Sequence, residues 1–129
     1  MAAFDPAQAH SVTPLEASEL MTKVKRIPLG DVIAERVLDA KKDGKSYVAT
    51  VRIGRPMKSA DAPGYQCPYQ VAGIGDDVVR SSAGEDSMQA LWLAIQILPK
   101  ELRFRYKEFS FTWLGQSNFG FDNLTVDVS

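Results

Sequence analysis

The sequence predicts an α+β fold in which an antiparallel β-meander is packed by one main α-helix, with a C-terminal β-hairpin and a short N-terminal helix. Residues 47–53 and 65–72 alternate apolar and polar side chains, which is the two-residue period of a strand with one buried face. Residues 88–98 space their apolar side chains three and four apart, which is the period of a helix. Strands that precede a single helix are typical of α+β domains.

The meander is predicted from its turns as well as from the alternation. Asp43-Gly44 suits a tight hairpin turn, in which both central residues need positive φ angles. A hairpin makes residues 31–40 a strand, although their apolar spacing also fits a helix. A short fourth strand is expected at residues 78–81. Pro68 cannot donate to a strand ladder, so we expect it at an edge or a bulge.

The main helix has the clearest pattern in the chain. Asp86 can cap it, with Gln89 three residues later, and Pro99 is predicted to end it. Two strands, at residues 108–114 and 124–128, are predicted to form the C-terminal hairpin around the turn-rich segment GQSNFGFDN. The residues that form the helix's apolar face are Met88, Leu91, Trp92, Ile95 and Leu98.

Length and composition indicate one domain that spans residues 1–129. A chain of 129 residues, 45% of them hydrophobic, can bury one core. Residues 1–13 lack periodicity and are expected to form a loose arm. Thr13 and Pro14 suit the start of a helix, so residues 14–26 are predicted as the short N-terminal helix, ahead of an α+β core at 31–129.

The charge and the hydropathy of the chain limit the classes of partner and the cellular location that we expect. Fifteen basic residues against 16 acidic ones give a net charge of −1, which argues against attraction of the whole molecule to nucleic acid or to an anionic membrane. The longest apolar run, residues 90–98, is too short to span a bilayer, and the N-terminus lacks the pattern of a signal peptide. A single cysteine cannot form an internal disulfide. We therefore expect a soluble, cytoplasmic protein.

The residues needed for nucleophilic or zinc chemistry are scarce. The only histidine, His10, falls in the predicted arm, and the only cysteine, Cys67, falls on the apolar face of a strand. A catalytic Cys/His pair or a zinc site needs more such residues than this chain has. We expect no enzyme activity, no cofactor and no metal.

Two alternative functions remain open, one based on acidic residues and one on basic residues. A small carboxylate-based or metal-assisted hydrolase would need its acidic residues to converge in a pocket, although turns and a helix cap explain them better. A nucleic-acid-associated regulator would need its basic residues on one face of the fold. The acidic set is Asp76, Asp77, Glu85 and Asp86, and the basic set is Lys41, Lys42, Lys45, Arg52 and Arg55.

Aromatic residues crowd the C-terminal part of the chain. Phe109, Phe111 and Trp113 share one face of a predicted strand, so we expect them to pack on the main helix. Phe119 and Phe121 fall in a loop, where they belong either to the core or, if exposed, to an interface with a partner.

Four segments together resemble a family of small uncharacterised bacterial domains. The resemblance covers about residues 48–121 and implies one domain with a helix after the strands, but it carries no activity and no catalytic residue. The shared positions are Gly54, Arg55 and Pro56, then Cys67, Pro68 and Tyr69, then Gln89, Ala90 and Leu91. The segments are VRIGRP, CPYQVAGIGDD, DSMQALWLAIQIL and WLGQSNFGF.

These observations favour a non-enzymatic protein-binding module. The narrower hypothesis is a bacterial immunity or antitoxin-like protein that neutralises a toxin or effector by direct binding, because such a protein needs only a stable scaffold and a complementary patch. No membrane partner is expected, nucleic acid is disfavoured, and a homodimer is left open. The candidate partner-binding residues are Arg55, Asp76, Asp77, Trp113, Phe119, Phe121 and Asp122.

Overall fold

An antiparallel sheet and one helix that packs on it make up the part of the chain that the computed structural model describes, residues 27–121. The predicted α+β class is confirmed. The predicted arm at 1–13, helix at 14–26 and strand at 124–128 lie outside the described residues. The elements are β1 (Val32–Lys42), β2 (Lys45–Gly54), β3 (Met57–Lys58), β4 (Tyr65–Ala72), β5 (Val79–Gly84), α1 (Ser87–Phe104) and β6 (Ser110–Thr112).

The sheet runs from β5 through β4, β2 and β1 to β6, and β3 lies beside β4 as a short continuation of β2. The predicted β1–β2 hairpin is present. Asp43 and Gly44 both have positive φ, 51° and 75°, and Lys42 lies opposite Lys45 across the turn. Pro68 lies in β4, which is an interior strand of the sheet. Along one edge, β4 pairs with β3 at residues 65 and 66 and with β2 at residues 69–72, so Pro68 has no paired residue on this edge and its missing N–H costs no ladder bond there.

One face of the sheet forms the core. Leu38, Val51 and Cys67 lie on this face, and α1 covers its β4 and β5 side with Ala90, Ala94, Leu98 and Leu102. Burial of a leucine side chain stabilises a fold by roughly 1.5–3 kcal/mol, so fully buried Leu38 and Leu98 are major contributors. The other face of the sheet has no described element packed on it. We call it the open face.

Helix α1 begins as predicted but ends later. The Asp86 carboxylate accepts a hydrogen bond from the Gln89 backbone N–H at 2.8 Å, and the Gln89 side chain accepts one from the Glu85 N–H at 2.6 Å. The prediction that Pro99 ends the helix is wrong, because α1 continues to Phe104. Proline removes one backbone bond inside a helix, but Pro99 and Leu102 are buried against the sheet, and this packing offsets the loss.

The C-terminal strand is shorter than predicted, and among the described residues its neighbour is β1. β6 covers only Ser110–Thr112 and pairs antiparallel with β1, where Asp39 lies opposite Thr112 and Lys41 opposite Ser110. After it, Trp113 and Gln116 close a tight turn. β6 therefore extends the main sheet at the outer edge of β1.

Candidate functional site

The acidic residues of the hydrolase alternative have structural roles. Asp76 accepts a hydrogen bond from the Val78 N–H at 3.1 Å, and Asp77, at φ 56°, accepts one from the Gly73 N–H at 2.9 Å. The bond from Val78 is the main reason that the pKa of Asp76 lies below its usual value, which is opposite to what a general acid requires. Among residues 27–121, no group of three or more His, Cys, Asp or Glu side chains is placed to hold a metal ion.

The cysteine lies in the core, as its place on the apolar face of a strand predicts. Cys67 is fully buried, and burial raises the pKa of its thiol to about 11. Because the thiolate is the reactive form, the thiol is a weak nucleophile at neutral pH.

The basic residues of the nucleic-acid alternative do not share one face. Arg52 lies on the open face, where it forms an ion pair with Glu35 at 3.0 Å. Lys42 lies on the opposite face, with its ammonium 5.3 Å from the Phe109 ring centre. Arg52 and Lys42 therefore lie on opposite faces of the sheet. No helix in the described part of the chain is long and apolar enough to cross a membrane.

The aromatic residues form a chain of ring contacts beside β1 and β6. Phe111 and Phe119 lie 5.6 Å apart, and Phe119 and Phe121 lie 6.4 Å apart. Phe119 is only 6% exposed. It therefore belongs to the core and is not an exposed interface anchor. Phe121 and Trp113 are half-buried and keep part of their surface accessible.

Arg36 organises the accessible end of this cluster. Its guanidinium lies 3.8 Å from the Trp113 ring centre and 5.5 Å from that of Phe121, and it donates to the Phe119 carbonyl at 2.9 Å. Gly120, at φ 83°, passes so close that a Cβ there would overlap both Arg36 and Trp113. No acidic side chain within residues 27–121 pairs with Arg36.

A cleft of about 190 Å³ opens next to Arg36, between the sheet and α1. It is too small for a nucleotide or other cofactor, since ligand pockets usually measure roughly 300–1,000 Å³. A cavity of roughly 150 Å³ accommodates a benzene ring, so this one fits a single large apolar side chain. Its apolar lining comes from Ala34, Val51, Ile53, Ile95, Leu98 and Phe121.

The outer edge of β1 borders the cleft. β6 covers this edge only at Asp39–Lys41, so residues 32–38 have no strand beside them within the described range. Lys42 and Lys45 close the hairpin and exchange backbone hydrogen bonds, so residues with even numbers bond to β2. The N–H and C=O groups of Glu35 and Val37 therefore point outward. We call residues 32–38 the free edge of β1.

A row of polar side chains crosses the open face from this edge. Besides its ion pair with Glu35, Arg52 donates to the Gln70 side chain at 3.3 Å, and Gln70 donates to the Asp77 carbonyl at 2.8 Å. Val37 and Val48 lie beside the row and are 53% and 55% exposed. The Glu35 carboxylate is thus held by Arg52 on the open face, and Glu35 also contributes to the lining of the cleft.

The structure brings together only some of the predicted site residues. Trp113, Phe119 and Phe121 meet around Arg36. Arg55 is exposed in the loop after β2, with its backbone N–H bonded to the Asp31 carbonyl at 2.8 Å. Asp76 and Asp77 shape the β4–β5 turn, and Asp122 lies outside the described residues.

Sequence reasoning missed Arg36 and Ala34. The available signal was the strand period, because alternation from Leu38 and Ala40 puts Arg36 on the buried face, where a charged side chain is unusual.

Residues 34–123 match the family described as Domain of unknown function (DUF6968). The chain belongs to this family. The DUF6968 match begins at Ala34 and includes Arg36, the cleft and the aromatic cluster. It agrees with the resemblance to an uncharacterised domain family. Neither the curated proteins nor the solved structures gave a match to this chain.

Proposed function

We propose that this protein is a non-enzymatic protein-binding module that takes up an extended segment of a partner as an added strand on β1. The observation that carries the proposal is the free edge of β1, which ends abruptly where β6 stops pairing at Asp39. Strand addition to an exposed sheet edge is a general mode of peptide recognition, in which backbone bonds supply affinity and adjoining pockets supply specificity.

The free edge has the features that this mode requires. Glu35 and Val37 offer their outward N–H and C=O groups to a partner strand, and each hydrogen bond of this kind contributes about 0.5–1.5 kcal/mol net. The cleft beside the edge adds an apolar site for one side chain. Val37, half exposed, gives the added strand an apolar neighbour on the open face.

An immunity or antitoxin-like role is the narrower form of this proposal. It is supported by the small single core and by the structural roles of the acidic residues and Cys67, which leave the surface free for recognition. In this form the partner is a toxin or effector bound in a stoichiometric complex.

The test is a backbone-specific substitution at Val37 in the full chain. Val37→Pro removes an N–H that points away from β2, so the β1–β2 ladder is kept while an added strand loses a hydrogen bond and meets the proline ring. Val37→Thr keeps the N–H and the β-branched shape and serves as the matched control. Circular dichroism and thermal melts establish that both variants are folded.

Each tagged form is used to capture proteins from a lysate of the cells that encode it. We expect one stoichiometric partner that Val37→Thr retains and Val37→Pro loses. A partner that Val37→Pro retains fully, or no stoichiometric partner with the unaltered chain, would contradict the proposal.

A further inference from the structure

We infer that the free edge of β1 selects partner segments that carry a large apolar residue and an acidic residue two positions apart. This inference rests on the proposed function and specifies the chemistry of its partner. The apolar residue would occupy the cleft opposite Ala34, and the carboxylate would lie opposite Arg36.

The spacing follows from strand geometry. Ala34 and Arg36 are two residues apart on β1 and face the same side of the sheet. The residues opposite them in an added strand are also two apart and face the same side. Because Glu35 and Val37 form the outward hydrogen bonds, Ala34 and Arg36 would belong to pairs without backbone bonds, in which side chains approach most closely.

The cleft accounts for the preference for a large apolar residue in the partner segment. Ala34 is exposed and lines the cleft, and its side chain is only a methyl group, so at this position β1 itself leaves room for a large side chain. With about 190 Å³ and walls from Ile53, Ile95 and Leu98, the cleft fits a leucine, isoleucine or phenylalanine side chain.

Arg36 accounts for the preference for an acidic residue in the partner segment. Of its five N–H donors, one bonds to the Phe119 carbonyl, and the stack on Trp113 fixes the plane of the guanidinium. A planar guanidinium held in this way is suited to a two-point contact with a carboxylate. The nearest acidic neighbour in sequence, Glu35, is bonded to Arg52 on the other face of the sheet, so it does not neutralise Arg36.

The experiment selects peptides from a random dodecapeptide library displayed on phage, with the full chain as bait. We expect enrichment of leucine, isoleucine or phenylalanine two positions from aspartate or glutamate. A selected peptide is then titrated as a synthetic peptide, beside one copy with the acid changed to its amide and another with the apolar residue changed to alanine.

Arg36→Gln and Arg36→Lys variants are titrated with the same three peptides. Loss of the acid should weaken binding to the unaltered chain about tenfold, which corresponds to about 1.4 kcal/mol. In Arg36→Gln the acid and the amide peptides should bind within about twofold of each other. Arg36→Lys, which keeps the charge without the planar fork, should recover only part of the preference.

The outcomes separate the two proposals. Selected peptides that Val37→Pro fails to bind, but that show no preference for an acid, would overturn this inference and leave the proposed function standing. An absence of selected peptides, or peptides that Val37→Pro binds as well as the unaltered chain does, would overturn the proposed function.

A Leu124→Asp variant is screened in parallel, because Asp122 and Leu124 show the same spacing in the chain's own sequence. Enrichment by this variant alone would overturn the assignment of the edge to a partner.

Discussion

Arg36 shows how one charged side chain can be accommodated next to an apolar core. Trp113 and Phe121 lie against its guanidinium, and a carbonyl oxygen of the same loop accepts one of its hydrogen bonds. Cation–π contacts contribute about 0.5–2 kcal/mol, depending on how far they are shielded from water. Arg36 therefore ties the loop after β6 to β1, and no acidic side chain in the described part of the chain pairs with it.

The stack on Trp113 leads to a prediction about stability. Arg36→Lys should lower the free energy of unfolding by about 1–2 kcal/mol, because an ammonium group cannot lie flat on the indole ring while it bonds to the Phe119 carbonyl. Urea denaturation followed by tryptophan fluorescence measures the change. Arg55→Lys, at an exposed position, is the matched control and should change stability by less than about 0.5 kcal/mol. Equal stability of the two variants would show that the stack contributes nothing.

At the scale of the elements, the two edges of β1 differ in how far they are paired. One edge is paired with β2 along its length, and the other is paired, among residues 27–121, only at Asp39–Lys41. The free edge is interrupted by the irregularity between Val32 and Ala34, which is a common device at the edges of sheets. The free edge is therefore short and well defined.

This difference predicts an alternating pattern of amide hydrogen exchange along β1. The amides of Glu35 and Val37 should exchange fast, and those of Arg36 and Leu38 should be protected by their bonds to β2. Asp39 and Lys41 also point outward but meet β6, so they are the internal control and should be protected. Residue-resolved NMR exchange measures the pattern. Strong protection of Glu35 and Val37 would show that the edge is covered in the isolated chain.

Sequence patterns could predict the elements of this fold better than their ends. Alternation and the Asp43-Gly44 turn are local signals, so β1, β2 and β4 could be located directly. The end of α1 could not, because Pro99 costs a helix hydrogen bond and the burial that offsets it involves the distant sheet. For the same reason the pairing of β6 with β1 could not be predicted, because the paired residues are 73 positions apart in sequence at Asp39↔Thr112 and 69 apart at Lys41↔Ser110.

At the scale of the whole molecule, the candidate site combines parts of the chain that are far apart in sequence. Arg36 comes from the first strand, Ile95 and Leu98 from the helix, and Trp113 and Phe121 from the C-terminal loop. The aromatic residues could be singled out by their number. Arg36, at the centre of these aromatic residues, could not be predicted, because an arginine is recognised as part of an apolar site only when the fold brings the rings around it.

Cys67, buried where the sheet and helix meet, couples the whole fold to pH. Burial raises the pKa of its thiol from 9.0 to about 11, so above pH 9 the thiol ionises in the unfolded chain before it does so in the native one. The free energy of unfolding should therefore be unaffected by this group below about pH 8 and should fall as pH rises from 9 to 11.

The contribution is measured by denaturation of the unaltered chain and of Cys67→Ala at pH 8 and pH 10. The unaltered chain should lose about 1 kcal/mol more than the variant over this interval. Tyr69 and Tyr106, whose pKa values are also raised by burial, are present in both proteins and cancel in the difference. Parallel losses in the two proteins would mean that the buried thiol ionises as easily as it does in water.

The charge pattern of the free edge also bears on polymerisation. An uncovered strand invites a second copy of itself, and edge-to-edge growth of this kind leads to fibrils. If two copies met in antiparallel register centred on Glu35, two carboxylates would lie opposite one another, and centring on Arg36 would oppose two guanidinium groups, which is unfavourable in either case. A foreign segment with an acid opposite Arg36 meets no such repulsion there. In these two registers the charges of the free edge would therefore disfavour pairing between two copies, while they would favour a partner segment with an acid opposite Arg36.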